Sequence, residues 1–232
     1  MRRLIVSLSS LVAVACVTAA AATSTDAPLP TSNLPEGGKG TPLRTGVTYQ
    51  ANRSFPISIR LTPPDGSWSG AQWKTSARGP HSKKSPFFGW VGAIQTPPTQ
   101  NAVPPGAITI VTSYNPTKSA TTTANYLRTR GHGATYEATS HVTVAGFPGL
   151  QFDGTIIAKE HAFIPFTPQS RKARWYGDAF YLGKGAVFRI IVLQVRAKTV
   201  VVFIENAGLA PDQFPAFLAK ADNILESVRF PR

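Results

Sequence analysis

Residues 186–206 read AVFRIIVLQVRAKTVVVFIEN, two apolar runs on either side of a short polar break. The first run, Ala186 to Val195, includes Val187, Phe188, Ile190, Ile191, Val192 and Leu193; the second, Thr199 to Asn206, includes Val200, Val201, Val202, Phe203 and Ile204. Both are β-branched and too short for core helices, and apolar residues stand at odd and even positions alike, the pattern of strands covered on both sides. The pair is expected at the centre of a sheet. Arg196-Ala197-Lys198 is short and polar enough for a hairpin turn, so the runs should pair antiparallel.

A helix follows. A proline inside a helix loses a hydrogen bond and clashes with the preceding turn, so Pro211-Asp212-Gln213-Phe214-Pro215 sets its start. Asp212 as N-cap leaves Pro215 in the first turn, where its missing N–H would have no helical partner anyway. Phe214, Phe217, Leu218, Ala221, Leu225 and Val228 then form one apolar stripe opposite Lys220, Asp222 and Glu226. Each large member should stabilise the docked helix by about 1.5–3 kcal/mol. Residues up to Phe230 close the chain as a short strand.

At the other end, Met1-Arg2-Arg3 precedes an apolar stretch, Leu4 to Val17, that is too short for an ordinary transmembrane helix. Ala20-Ala21-Ala22 offers a cleavage site before Thr23, so residues 1–22 are expected to be a secretory signal peptide. The chain's one cysteine, Cys16, excludes an intrachain disulfide. Ala13-Val14-Ala15-Cys16 is similar to a bacterial lipobox, although Ala stands where Leu is usual. Lipidation at Cys16 would anchor the domain to a membrane without threading it through. Residues 23–46, rich in Thr, Pro, Gly and Ser, are expected to be a disordered linker, with one domain over residues 47–232.

Within that domain, Phe55 to Leu61 alternates as a half-buried strand, and Pro63-Pro64-Asp65-Gly66 turns the chain. Trp68 to Trp90 mixes aromatics with Lys74, Arg78, His81, Lys83 and Lys84, read as a basic loop running into a core strand over Phe87 to Ile94. Ala107 to Ser113 is a further strand. Asn115-Pro116 and Gly131 bracket a helix whose buried face is Ala120, Thr123, Ala124 and Leu127. Strands at 141–144 and 150–157 are joined by the turn Ala145 to Gly149. Residues 158–185 look irregular and carry a second basic-aromatic cluster at Arg171-Lys172-Ala173-Arg174-Trp175-Tyr176.

The formal charge is +13, and no acidic residue lies between Asp65 and Glu137. Polyanions are natural partners for such a chain, and export makes nucleic acid a poor one. Chemistry is harder to find. His81, His132, His141 and His161 lack metal-ligand spacing. Gly66-Ser67-Trp68-Ser69-Gly70 puts Trp68 where a hydrolase elbow needs its serine. Ser140 and His141, adjacent on a strand, point to opposite faces and so make a poor triad with Asp153. No catalytic residue, metal or cofactor is expected.

Val142-Thr143-Val144-Ala145-Gly146-Phe147-Pro148-Gly149 and the closing Ile224-Leu225-Glu226-Ser227-Val228-Arg229-Phe230 resemble the PsbP-like superfamily, most of all small exported actinobacterial proteins of the LpqN lipoprotein type. The resemblance covers roughly Tyr49 to Phe230. It implies an α+β fold, a central antiparallel sheet with helices on both faces as an α/β/α sandwich, and binding or accessory roles without catalytic residues to carry over.

The expectation is an exported, monomeric, non-enzymatic binding or accessory domain of the bacterial cell envelope, extracellular or anchored to the outer face of the cytoplasmic membrane. Its partner would be an envelope protein or anionic envelope polymer, contacted through Lys83, Lys84, Arg171, Lys172, Arg174 and Trp175. The alternatives are an envelope hydrolase or esterase with an unrecognised site, or a carrier of an apolar ligand. Phe217→Asp is expected to unfold the domain; an unchanged melting temperature would refute the stripe's docking.

Overall fold

The computed structural model describes residues 26–31, 41–51, 57–75, 88–95, 105–113, 119–130, 132–165 and 179–231. The strands of the first half are β1 (Ala27–Pro28), β2 (Thr41–Pro42), β3 (Tyr49–Ala51), β4 (Ile59–Leu61), β5 (Trp68–Thr75), β6 (Phe88–Gln95) and β7 (Ala107–Ser113). Helix α1 (Ala120–Arg130) leads into β8 (Ala134–Tyr136), β9 (Ser140–Val144) and β10 (Phe147–Ile156). Then come β11 (His161–Pro165), β12 (Ala179–Gly183), β13 (Val187–Val195), β14 (Lys198–Glu205) and helix α2 (Phe214–Ser227). The fold is α+β and mostly sheet.

The main sheet has nine strands in the order β2-β5-β6-β7-β14-β13-β10-β8, with β9 also paired to β10. Strands β13 and β14 lie in its interior, antiparallel from Phe188 opposite Glu205 to Val195 opposite Lys198. Their turn is tighter than expected, because Lys198 already belongs to β14 and Arg196 takes a left-handed φ of 56°. The Arg196 guanidinium donates to the Phe230 carbonyl (2.8 Å), and Gln194 Nε2 donates to the Arg196 carbonyl (3.0 Å).

Side chains on this ladder alternate between two cores. Ile191, Leu193, Val200, Val202 and Ile204 gather with Phe214, Phe217, Ala221, Ile224 and Leu225 of α2, and with Trp68 and Ile59. Phe188, Ile190, Val192, Val201 and Phe203 gather with Ala120, Ala124 and Leu127 of α1, and with Phe152 and Phe180. The ring of Phe180 stacks on that of Phe203 at 3.6 Å.

Several expectations are corrected. Asp212 does not cap α2: it lies in a single 3-10 turn, and the Gln213 side chain accepts the Ala210 N–H instead (3.2 Å). Helix α1 begins at Ala120, where the Ser119 hydroxyl accepts from the Thr122 N–H (3.2 Å); Asn115 and Pro116 lie outside the described residues. Trp68 to Thr75 is not loop but strand β5, whose alternation is hidden by its polar and small residues. Residues expected to be irregular form the β11–β12 hairpin, because Ala162, Ile164, Phe180 and Leu182 bury at alternate positions. The turn after Val144 is only Ala145-Gly146. Gly149 belongs to β10, and a Cβ there would fall 2.5 Å from the Val192 carbonyl oxygen, so it serves close strand approach rather than turning.

Part of the expected linker is built into the fold. Ala27–Pro28 pairs with β3, Leu29 and Leu43 are buried, and Thr41–Pro42 pairs with β5. Buried Gln72 donates to the Leu29 carbonyl (2.7 Å), and Asp26 pairs with Arg60 (2.6 Å).

Glu205 ends β14 half-buried, and desolvation pushes its carboxyl up to about 7 from an ordinary 4.5. The unfolded chain therefore releases this proton first, and Glu205 lowers stability as pH rises through that window, with the loss complete above it. In chemical denaturation at pH 5 and pH 8, Glu205→Gln should lose less stability than wild type between the two values. Equal losses would show that the carboxyl is well solvated.

Candidate functional site

On α1, Asn125, Arg128 and Thr129 follow one another at helical i, i+3, i+4 spacing and so share a face. That face meets Tyr136 of β8 across a cleft of about 340 Å³ lined by these same side chains. The opposite face of α1, with Ala120, Thr123, Ala124 and Leu127, is buried as its pattern implies.

Arg128 is braced. Its Nη1 donates to Thr139 Oγ1 (2.9 Å), its Nη2 donates to the Glu137 carbonyl (3.0 Å), and its guanidinium lies 5.8 Å from the centre of the Phe152 ring. Two of its five N–H groups are accounted for by these bonds, and Nε, buried, meets no acceptor among the described residues. Tyr136 packs edge-on to Phe152 (5.8 Å) and Phe188 (6.0 Å). Burial pushes its hydroxyl up to about 12 although Arg128 opposes the shift, so the phenol stays protonated at neutral pH. The Thr129 hydroxyl donates to the Asn125 and Tyr126 carbonyls (2.9 and 3.2 Å), which leaves its oxygen to accept. A guanidinium, a protonated phenol and an amide therefore face the cleft, with no carboxylate among the described residues that line it. That set favours a ligand rich in acceptors, such as a carboxylate or phosphate.

Lys83, Lys84, Arg171, Lys172, Arg174, Trp175 and Cys16 all lie outside the described residues, so the basic-aromatic clusters and the lipidation cysteine have no described geometry. Trp68, grouped with the first cluster by sequence, is a core residue whose ring centre lies 6.1 Å from that of Phe217. Asp153 is engaged elsewhere than with His141: both its oxygens accept from Arg189, at 2.7 and 2.8 Å. His161 lies 3.9 Å from Glu160 and packs against Tyr181, all three exposed. The cleft was missed by sequence reading because Arg128 in the last turn of a helix is accounted for by the dipole alone. The signal lay in combining the Asn125-x-x-Arg128-Thr129 face with a tyrosine on the next strand.

No family model matches the chain, and no curated protein matches it. Several solved structures are similar to this chain while sharing little of its sequence. The cyanobacterial PsbP (CyanoP) of Synechocystis sp. PCC 6803 is 10% identical, with a TM-score of 0.45 over 82% of this chain and 94% of that one. LpqN of Mycobacterium tuberculosis, a protein involved in cell envelope biogenesis, is 15% identical, with a TM-score of 0.39 over 79% of this chain and 91% of that one. A Pseudomonas aeruginosa protein of unknown function, described as a putative regulator, is 10% identical with a TM-score of 0.35, covering 80% and 97%.

The Asp153–Arg189 pair is a structural element, partly buried on both sides. Removing one partner strands a charge, whereas replacing both by apolar residues need not. Asp153→Ala should cost about 1.5–3 kcal/mol in urea unfolding, and Asp153→Leu combined with Arg189→Met should recover most of it. Equal losses in the single and double variants would contradict this assignment.

Proposed function

We propose that this chain is an exported, non-enzymatic binding or accessory domain of the bacterial cell envelope, engaging a protein or an anionic polymer. The observation that carries the reading is the α1–β8 cleft, lined by Asn125 and Tyr136, in which Arg128 is fixed by Thr139 and Glu137. A braced guanidinium loses little rotamer freedom when it takes up an acidic group, which favours binding. A formal charge of +13 would add long-range attraction for the same class of partner. The proposal takes the fold as a sheet covered by α2 on one face and α1 on the other. The division of neighbours Ile190 and Ile191 between the two cores supports that arrangement.

The test is retention of the full chain on an anionic bacterial envelope fraction across a salt series. Asn125→Ala removes one donor without touching the Arg128 brace and should elute at lower salt than wild type; Arg128→Gln should elute earlier still. If both elute with wild type while joint neutralisation of Lys83, Lys84, Arg171 and Arg174 abolishes retention, recognition belongs to the loops and the cleft reading fails.

A further inference from the structure

The backbone of β9 is paired on one side only among the described residues. Its five residues face β10 from Val144 opposite Phe147 to Ser140 opposite Gln151, and Ser140, His141 and Thr143 are exposed. Ala145 (φ 53°) and Gly146 (φ 78°) are both left-handed, as a two-residue type I′ turn requires. Such a turn closes on a hydrogen-bonded pair, here Val144 with Phe147, and bonded positions then alternate down the ladder. Val144, Val142 and Ser140 therefore turn their backbone groups towards β10, while Thr143 and His141 turn theirs outward. Pro148 agrees with this register, since it stands opposite Thr143 and has no N–H to offer.

Sheet edges are usually blunted by lysine, proline or a covering segment. The far edge of this sheet is covered: Thr41–Pro42 pairs with β5, Leu43 donates to the Trp68 carbonyl (2.9 Å), and Gln72 donates to the Pro30 carbonyl (2.7 Å). The β9 edge instead reads Ser-His-Val-Thr-Val, β-branched and without lysine, proline or an acidic residue. At its head stands the braced Arg128, bonded to Glu137 and Thr139 immediately before the strand.

We propose that the outer edge of β9 is a docking strand for an extended, acidic peptide segment of a partner protein. The segment would pair with the outward N–H and C=O groups of His141 and Thr143 and present carboxylates towards Arg128. Strand addition supplies backbone hydrogen bonds without demanding a particular sequence, and the charge selects the partner. A formal charge of +13 on every copy opposes a second copy in the same place. The proposal rests on the binding reading only for the sign of the partner's charge.

The experiment uses the full chain and a synthetic peptide of alternating valine and threonine with aspartates at one end, followed by amide hydrogen exchange. Bound peptide should slow exchange at His141 and Thr143 by about tenfold or more, since both amides are otherwise open to water. Thr143→Pro deletes one outward donor and no bond to β10, so it should keep the wild-type melting temperature and bind the peptide roughly tenfold more weakly. Thr143→Glu, which keeps the donor but repels the aspartates, should weaken binding in the same way if proline disturbs the hairpin. Slowed exchange at these two amides that survives Arg128→Gln supports the edge even where the cleft reading has failed. Absence of binding, or binding that leaves both amides fast, overturns the proposal. So does protection that grows with protein concentration and without peptide, in step with a dimer in sedimentation, because the edge then serves a second copy.

Discussion

The β13–β14 ladder contributes side chains to two hydrophobic cores. Ile190 and Ile191 are adjacent in the chain and belong to different cores, as do Val201 and Val202. The two cores are built from unlike elements. Helix α2 brings large side chains, Phe214, Phe217, Ile224 and Leu225, to one core; helix α1 brings small ones, Ala120 and Ala124, to the other, where Phe152, Phe180, Phe188 and Phe203 supply the volume. Gln194 ties these parts together. Its Nε2 holds the hairpin turn at Arg196, and its Oε1 accepts the Ala120 N–H at the start of α1 (3.1 Å). One amide thus fixes where the helix begins relative to the central strands and satisfies a terminal N–H that would otherwise have no partner.

Much of this was legible before any coordinates. Unbroken apolar runs told that β13 and β14 were interior, and period-3.6 stripes identified the buried faces of both helices; Ile224 was the one large α2 core residue left out. What stayed hidden shares a cause. Trp68 to Thr75 and residues 161–165 and 179–183 carry too many polar or small residues for alternation to stand out, and their pairing is decided by neighbours distant in sequence. The stretch around Leu29 and Leu43 looked too polar to fold because it buries little surface of its own. It is held by backbone and Gln72 hydrogen bonds to strands β3 and β5.

The cleft illustrates the same limit at the level of a site. Composition placed positive charge throughout the chain, and no local pattern distinguished Arg128 from its neighbours. Only the folded chain shows that its guanidinium spans from α1 to the stretch between β8 and β9, lies over Phe152, and stands beside a phenol that burial keeps protonated. The features that make the arginine a rigid donor are tertiary, and so is the lack of an acidic group among the described residues that line the cleft.

The two edges of the main sheet are unequal, one covered by the segment around residues 30–43 over Trp68 to Gln72 and the other, among the described residues, unpaired along β9. Growth of a sheet into a fibre needs two complementary edges on every unit, so that each addition leaves a fresh end. Here an added strand at β9 consumes the open end, and the covered end presents only the two-residue strand β2. Growth by copies of this chain stops there, because the β5 edge of the next copy is already occupied by its own residues 30–31 and 41–43. A basic, strand-rich chain can in this way carry an adhesive edge while remaining unable to polymerise through it.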